Sequence, residues 1–178
     1  MGMRIRGSVK AEGFEGRERE EDRFMRFRRE GGRIRIHGDL DVRDGVDVKG
    51  LLNVRKNLSA GDVDVGGALE IGGDASSSSI DVGGRLTVDG QLKGSTLNVG
   101  GSVHVGGEAE VEAIDVGGRI EIEGLCKILH LDCGGKADVG GGEIDGIHVG
   151  GSFESAGELR FKKIDVGGRV TLKKRGEG

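Results

Sequence analysis

The 178-residue chain contains no proline, tryptophan or tyrosine, and it has only two cysteines. Two cysteines, Cys126 and Cys133, are too few for the disulfide framework of a small secreted protein. No stretch approaches the roughly 20 apolar residues of a membrane-spanning helix, and the first residues lack the pattern of a signal peptide. We therefore expect a soluble protein of a reducing compartment, and the cytoplasm is its expected location.

Glycine, by contrast, supplies 38 residues. Such a content is typical of collagen or of disordered segments. Collagen is excluded because there is no Gly-X-Y register, and disorder is disfavoured because apolar residues recur at fixed places. The composition instead indicates a repeat with glycine at its corners, where glycine tolerates the positive φ that corners often need.

The tetrapeptide Asp-Val-Gly-Gly and its variants recur along the chain at a nearly constant spacing. The tetrapeptides start at Asp47, Asp64, Asp81, Asn98, Asp115, Asp132, His148 and Asp165. The position numbers of successive starts differ by 17, except that His148 follows Asp132 by 16. Repeats of this kind indicate a solenoid, in which each repeat buries its apolar side only against its neighbours.

The repeat from Asp81 to Leu97 has the pattern of one turn, or rung, of an all-β solenoid. Apolar residues spaced by two, such as Leu86 and Val88, indicate strands with side chains on alternate faces. Gly83-Gly84 and Gly90 mark two corners, and a more variable third corner lies near Gly94. Each rung is therefore predicted to contain three short parallel strands. Inward positions of successive rungs then form apolar columns, such as Val48, Val65, Val82, Val99, Val116, Cys133, Val149 and Val166.

The periodicity divides the chain into three parts. Residues 29–172 form the predicted solenoid of eight rungs and a partial ninth, with one extra residue near Gly45 and one missing near Gly142. Residues 1–28 form an irregular charged N-terminal segment and a candidate end-cap, and residues 173–178 form a basic tail. Residues 1–60 contain 15 Lys or Arg against 11 Asp or Glu, and residues 161–178 contain 6 against 2, so both ends are basic.

A short segment before the solenoid mixes basic residues with Phe and Met. Such a pattern is typical of contact with anionic lipid or nucleic acid, but the acidic residues at 18 and 20–22 weaken a polyanion site. We favour an end-cap in which Phe24 and Phe27 cover the first rung, and we expect no nucleic-acid partner. A membrane surface is the alternative partner of this segment, through Arg23, Phe24, Met25, Arg26, Phe27, Arg28 and Arg29.

The stacked Asp residues of the repeat are the first candidates for a chemical role. In register they would lie about one strand spacing, 4.8 Å, apart, and either a row of divalent cations or turn geometry explains that arrangement. We favour turn geometry, in which each Asp accepts a hydrogen bond from the following Gly-Gly corner. The repulsion between carboxylates is then expected to be softened by the basic column Arg85, Arg119, Lys136 and Arg169.

No other pattern indicates a metal, a cofactor or catalysis. The four histidines fall at different rung positions, and both cysteines occupy inward columns, where cysteine behaves as a small hydrophobe. The Gly-Gly pairs open strands rather than helices, so they are not phosphate-binding loops. We therefore expect no catalytic residue, no metal, no cofactor and no small-molecule substrate.

Two segments of the repeat, GGRLTVDGQLKGSTLNVGG at Gly83–Gly101 and GGRIEIEGLCKILHLDCGG at Gly117–Gly135, resemble the rungs of bactofilins. Bactofilins are polymer-forming cytoskeletal proteins, and the resemblance covers roughly residues 29–172. It implies a single-stranded, right-handed, triangular parallel β-helix that polymerises end to end without nucleotide, often near a membrane. Left-handed hexapeptide-repeat acyltransferases are disfavoured. Their six-residue period requires 18 residues per coil, whereas the dominant spacing of this chain is 17 residues.

These patterns favour a structural protein, the subunit of a filament or scaffold that assembles with copies of itself through the solenoid ends. An uncapped end exposes unpaired backbone groups and core residues, which another chain can cover. The alternative is a monomeric binding module of adhesin type, or a complex subunit, that uses one flat face. An enzyme is disfavoured because uniform rungs offer no cleft of convergent polar groups. The candidate assembly residues are Phe24, Phe27, Phe153, Phe161, Val170 and Leu172.

Overall fold

The computed structural model describes residues 4–6, 9–11 and 33–173, and this part of the chain is entirely β-structure, turns and bends. None of these residues lies in a helix, and so none belongs to a helix that can cross a membrane. In chain order the strands are β1 Arg4–Arg6, β2 Val9–Ala11, β3 Arg33–Ile36, β4 Leu40–Val48, β5 Leu51–Val54, β6 Leu58–Val65, β7 Ala68–Ile71, β8 Ala75–Val82, β9 Arg85–Val88, β10 Leu92–Val99, β11 Ser102–Val105, β12 Ala109–Val116, β13 Arg119–Ile122, β14 Cys126–Cys133, β15 Lys136–Val139, β16 Gly142–Val149, β17 Ser152–Ser155, β18 Leu159–Val166 and β19 Val170–Leu172.

The strands alternate between two sheets that run the length of the solenoid. The odd-numbered strands from β3 to β19 form a sheet of short strands, and the even-numbered strands from β4 to β18 form a sheet of long strands. All neighbours in these two series are parallel, and most paired residues differ by 17 in number, as Leu92 and Ala109 do. The predicted β-solenoid and its repeat length are thereby confirmed, with eight complete rungs and β19 as the start of a ninth.

Each long strand turns a corner in its middle, so that a rung has three sides. In β8 the first, third, sixth and eighth residues are buried, which breaks the strict alternation of a flat strand between Ser77 and Ile80. The same break recurs in β12 and β14. Three short strands per rung were predicted, and the structure joins two of them into one bent strand. The pairing skips a single residue at this corner, between Gly94↔Ser77 and Thr96↔Ser79, and keeps the same register on both sides of it.

The core is a set of apolar columns along the solenoid axis. The predicted valine column is in register, since Val82 pairs with Val65 on one side and with Val99 on the other. Each of these three side chains is at most 3% exposed. Slim β-branched residues dominate the columns because they fit the pleated, fully buried inner face of parallel strands.

The Gly-Gly corners require glycine because successive rungs approach one another closely there. A Cβ atom added to Gly83 would lie 2.5 Å from the carbonyl oxygen of Gly66, and one added to Gly84 would lie 2.5 Å from that of Gly67. The expectation that these corners need a positive φ is wrong, because among the described residues only Gly141 and Gly142 have one, at 126° and 111°. Steric crowding between stacked corners therefore selects glycine.

Two rungs depart from the regular repeat length, and both departures lie where the spacing predicted them. The pairing of β4 with β6 shifts register between Val42 and Gly45, which accommodates the extra residue of the first rung. Farther along, Val139 pairs with Ile122 at a difference of 17, whereas Gly142 pairs with Cys126 at a difference of 16. The missing residue thus belongs to the turn at Gly140–Gly141, beside the two described residues with positive φ, Gly141 and Gly142.

An Asp/Asn ladder that the sequence analysis missed supports the corner that precedes each long strand near the N-terminal end. The Asn57 N–H donates to Asp39 Oδ1 at 3.0 Å, and the Asp74 N–H donates to Asn57 Oδ1 at 2.8 Å. The Gln91 N–H continues the ladder to Asp74 Oδ1 at 2.8 Å. These bonds satisfy corner N–H groups that point along the axis rather than into a strand ladder. The signal in the sequence was the recurrence of Asp39, Asn57 and Asp74 at the same position of successive rungs.

The steric origin of the glycine corners is tested by two alanine substitutions at the same rung position. We expect Gly83→Ala to lower the free energy of unfolding by roughly 1–3 kcal/mol, because the new methyl group is forced against the Gly66 carbonyl. Gly66→Ala is the control, since its Cβ would lie 3.6 Å from Lys49 Cα, an ordinary van der Waals contact. Urea denaturation of the two variants measures the difference, and equal effects would contradict the steric explanation.

Candidate assembly surface

The C-terminal end of the solenoid exposes the residues that would be core in a longer rod. Phe161, Val170 and Leu172 are 40%, 44% and 38% exposed, respectively. Each lies in an inward column, because Phe161 pairs with Ile144, Val170 with Phe153 and Leu172 with Ser155 of the preceding rung. We call the six inward residues of β18 and β19, the last strand of each sheet, the C-terminal end face: Leu159, Phe161, Ile164, Val166, Val170 and Leu172.

The backbone at this end is also unpaired on one side. Strand β18 pairs only with β16, and β19 pairs only with β17, among the residues that the structure describes. An edge strand of this kind presents a row of free N–H and C=O groups. The end face therefore combines an apolar centre with two sheet edges.

The opposite end differs, because the first rung is covered. Ile36 and Leu40 are 0% exposed, and Val42 and Val46 are 1% and 2% exposed. The long-strand sheet continues beyond the first rung through β1 and β2, which both pair with β4 in the antiparallel direction. The described solenoid thus has one apolar open end rather than two.

Of the six candidate assembly residues, the structure brings three together on the end face. Phe161, Val170 and Leu172 are those three. Phe153 was predicted as a contact residue, but it lies one level lower, beneath Val170, and is 1% exposed, so it is part of the core. Phe24 and Phe27 lie outside the described residues, as does the whole candidate membrane segment 23–29, and both interpretations stay predictions.

Basic residues surround the end face. The exposed basic residues in and beside β18 and β19 are Arg160, Lys162, Lys163, Arg169 and Lys173. Lys162 is held by Asp145 of the preceding rung, with 2.5 Å between Nζ and Oδ2. This hydrogen bond raises the pKa of Lys162 above its ordinary value. The remaining positive charge makes the rim of the end face repel another basic surface.

The Asp column is in register, but its side chains do not form the expected turns. Asp64 lies between Asp47 and Asp81 in the parallel pairing, as predicted. The N–H groups of the Gly-Gly corners donate to backbone carbonyls of the preceding rung, for example Gly83 to Val65 at 2.9 Å and Gly84 to Gly67 at 2.9 Å. The Asx-turn interpretation is therefore wrong, and most of these carboxylates lie on the exposed surface.

The basic column was expected to soften the repulsion within the Asp column, but two of its members, Arg119 and Lys136, pair with other carboxylates. Arg119 Nη2 lies 2.9 Å from Asp138 Oδ2, and Lys136 Nζ lies 2.8 Å from Asp138 Oδ1. Lys136 also lies 3.6 Å from Glu154, so these charges form a network on the face of the short strands. Hydrogen bonding to Asp138 raises the pKa of Lys136. The network belongs to a single face because side chains of β13, β15 and β17 point outward there.

Two exposed leucines interrupt the polar sides of the rod. Leu125 is 58% exposed and Leu129 is 48% exposed, and both lie at corners of the sixth rung. The residue stacked below Leu129 is Glu112, and the residue above it is Asp145. Because charged residues lie above and below it, Leu129 does not extend into an apolar stripe along the axis. Leu125 lies at another corner, between Glu108 and Gly141 in the stack, and is not part of such a stripe either. The sequence did not reveal them, since corner positions carry no fixed apolar pattern.

The face of the short strands also carries a shallow depression of about 440 Å³ near the N-terminal end. Its lining is mostly polar and includes Arg35, Arg55, Glu70 and Asp89. Within it, Asn53 Nδ2 donates to Glu70 Oε2 at 2.8 Å. No group of three His, Cys, Asp or Glu side chains among the described residues is arranged to hold a metal ion.

Both cysteines are free and buried in inward columns, as predicted. Cys126 is 3% exposed and Cys133 is 1% exposed. Burial disfavours the thiolate, and it raises the pKa of the Cys126 thiol to about 12. The Cys133 thiol donates to the carbonyl oxygen of Gly118 at 3.3 Å, and burial raises its pKa as well. These thiols act as small core groups and not as nucleophiles.

The buried thiol of Cys126 gives a pH dependence with a defined sign. Its folded-state pKa is raised, so its contribution to stability is constant below the ordinary value of 9.0 and is lost as the pH rises toward about 12. We expect Cys126→Ala, which matches Ala109 in the same column, to flatten this alkaline loss. Urea denaturation of both proteins from pH 8 upward measures it. A parallel decline in the two proteins would show that Cys126 does not contribute.

Comparisons of the whole chain with protein-family models, with curated proteins and with solved structures find no match in any of the three. The fold and the open end are therefore the observations on which a functional interpretation rests.

Proposed function

We propose that this protein is a non-enzymatic structural subunit that assembles with copies of itself through the ends of its solenoid to form a filament or scaffold. The observation that carries the proposal is the C-terminal end face, where Phe161, Val170 and Leu172 keep about two fifths of their surface exposed. The resemblance of the rungs to those of bactofilins agrees with this function.

The composition of the end face supports association with a β-structure of the same cross-section. Complete burial of a large apolar side chain is worth about 1.5–3 kcal/mol. The half-exposed residues of the end face therefore offer on the order of 1 kcal/mol each to a partner. Strands β18 and β19 add unpaired backbone groups, and each ladder hydrogen bond contributes about 0.5–1.5 kcal/mol. The end face thus needs a partner that buries its apolar side chains and pairs with its free strand edges. Another copy of this chain has both apolar columns and strand edges.

The sides of the rod offer less to a partner than the end does. Exposed large apolar residues on the sides of the described solenoid are confined to Leu125 and Leu129. Leu129 lies between Glu112 and Asp145 in the stack, and Leu125 lies between Glu108 and Gly141. A flat-face binding module would be expected to carry a continuous apolar or aromatic patch. The end is therefore the better candidate for the contact that defines the function.

Charged substitutions in the end face test this proposal. We expect Val170→Arg and Leu172→Lys each to weaken assembly at least tenfold, because each places a charge in the apolar centre of the contact. The matched control is Leu129→Lys, the same chemical change on the side of the rod at a residue that is 48% exposed. Sedimentation velocity and negative-stain electron microscopy measure assembly. If the end variants assemble as the parent protein does, or if Leu129→Lys abolishes assembly equally, the end face is not the contact.

The salt dependence of assembly provides an independent test. Residues 161–178 contain 6 Lys or Arg against 2 Asp or Glu, and residues 1–60 contain 15 against 11, so approaching ends repel each other. Salt screens such repulsion, with a Debye length of about 10 Å at 0.1 M. We expect assembly to strengthen as the salt concentration rises from about 50 mM to about 500 mM. Filaments that dissolve over this range would contradict the electrostatic part of the proposal.

A further inference from the structure

The two ends of the solenoid match each other in an unexpected way. The chain finishes with a short strand, β19, which lies one level above β17. The long-strand sheet stops half a rung earlier, at β18. At the other end the regular rungs begin with another short strand, β3, followed by the long strand β4. A short strand therefore stands outermost at both ends of the regular solenoid.

This arrangement has a consequence for stacking two copies. If β3 of one copy continued the ladder beyond β19 of another, the long-strand sheet would lack one strand between β18 and β4 of the second copy. Rungs in a parallel solenoid are spaced by about 4.8 Å, so the vacancy would be one strand wide along two of the three sides. Unpaired backbone groups on both sides of such a gap would be costly.

Strands β1 and β2 occupy that level. They run antiparallel along the outer edge of β4, with Ile5 opposite Val46 and Val9 opposite Val42. Residues 45–47 pair with β1 and residues 40–42 pair with β2, so together they span both sides of the bent strand. We call these two strands the N-terminal strap. With the strap, each sheet has nine levels, so a second copy stacked on the first would leave no missing strand in either sheet.

We propose that the N-terminal strap forms half of a head-to-tail joint, in which β18 of one copy pairs with the free edge of the strap of the next copy while β19 pairs with β3. The inference rests on the proposed function, because it specifies which end of a second copy covers the C-terminal end face. Among the described residues the strap pairs only with β4, and the joint requires its outer edge to accept β18 of the neighbouring copy. The contact is heterologous and does not close, so it propagates into a filament.

Two blocked variants test the joint when they are mixed. The first, Val170→Arg with Leu172→Lys, removes the C-terminal end face and keeps the strap. The second, Ile5→Pro with Lys10→Pro, removes two strap N–H groups, which proline cannot supply to a ladder, and keeps the C-terminal end face. Ile5→Ala with Lys10→Ala is the control for the second, because it retains both N–H groups. Circular dichroism verifies that all three are folded.

In salt at which the parent protein assembles, each blocked variant alone is expected to be a monomer of 18.6 kDa. Their equimolar mixture is expected to form a dimer of twice that mass, and the alanine control is expected to form filaments. If the proline variant dimerises by itself, the C-terminal ends meet each other, which overturns the joint and leaves the proposed function in place. A parent protein that stays monomeric at every salt concentration overturns both the joint and the proposed function.

If the proline variant does not fold, a strap that is locked to β4 by a disulfide tests the head-to-tail joint instead. Lys10 and Asp41 are register partners, so Lys10→Cys with Asp41→Cys ties the strap to β4; Cys126→Ala and Cys133→Val remove the native thiols. The oxidised protein is expected to assemble as the parent does, because the strap stays in place in the joint. Loss of assembly on oxidation, with recovery on reduction, would mean that the strap must leave and would overturn the joint.

The axial repeat gives a second readout from the same filaments. Nine levels at about 4.8 Å predict a head-to-tail repeat of about 43 Å. Alternating contacts between like ends would double the repeat, because two copies would then form the unit. A repeat of the doubled length in electron micrographs would therefore overturn the joint.

Discussion

The close approach of stacked corners is the constraint on which this structure depends. Gly83 and Gly84 lie so near the carbonyl groups of the rung below that no side chain fits between them. The corner N–H groups in turn donate to that rung, as Gly83 does to Val65 at 2.9 Å. Because each corner fixes the next at the spacing of a strand, the apolar columns align and the core continues from Ile36 to Phe153. The high glycine content is therefore the cost of keeping all three sides of every rung in register.

The outer surface follows from the same register. Stacking places like residues directly above one another, which is unfavourable for charged groups on adjacent strands. The short-strand face resolves this by interleaving Arg119 and Lys136 with Glu121, Asp138 and Glu154. The Asp column keeps its like charges, and its exposure to water makes them tolerable. The regular interior thus restricts the sides of the rod largely to polar ladders, and among the described residues most of the exposed apolar surface lies on the C-terminal end face.

The sequence predicted the interior of the fold far better than its details at the corners and ends. The regular repeat spacing and the alternation of inward residues such as Leu86 and Val88 with outward ones determine the strands and their register. A slip of one residue would turn the apolar side outward. The role of glycine was misassigned, since sequence patterns report residue type and not the distance between stacked backbones. The strand-like alternation near the N-terminus predicted an irregular opening rung, but the antiparallel pairing of the strap was not predicted, because residues 4–11 have no partner that periodicity can identify. Phe161, Val170 and Leu172 of the end face were identified because they continue inward columns. Phe153 was grouped with them because it also lies in an inward column, and it is buried because Val170 lies above it in the stack.

The seventh rung shows how tolerant the solenoid is of changes in a single corner. It is one residue shorter than its neighbours, and Gly141 and Gly142 absorb the difference with φ values of 126° and 111° while the columns on either side stay aligned. Variation in one turn is therefore not transmitted along the rod. Because neighbouring rungs are one strand spacing apart, the gain or loss of a whole repeat would change the length of the rod by about 4.8 Å. The backbone therefore sets the spacing of the rungs, and the number of repeats sets the total length of the rod.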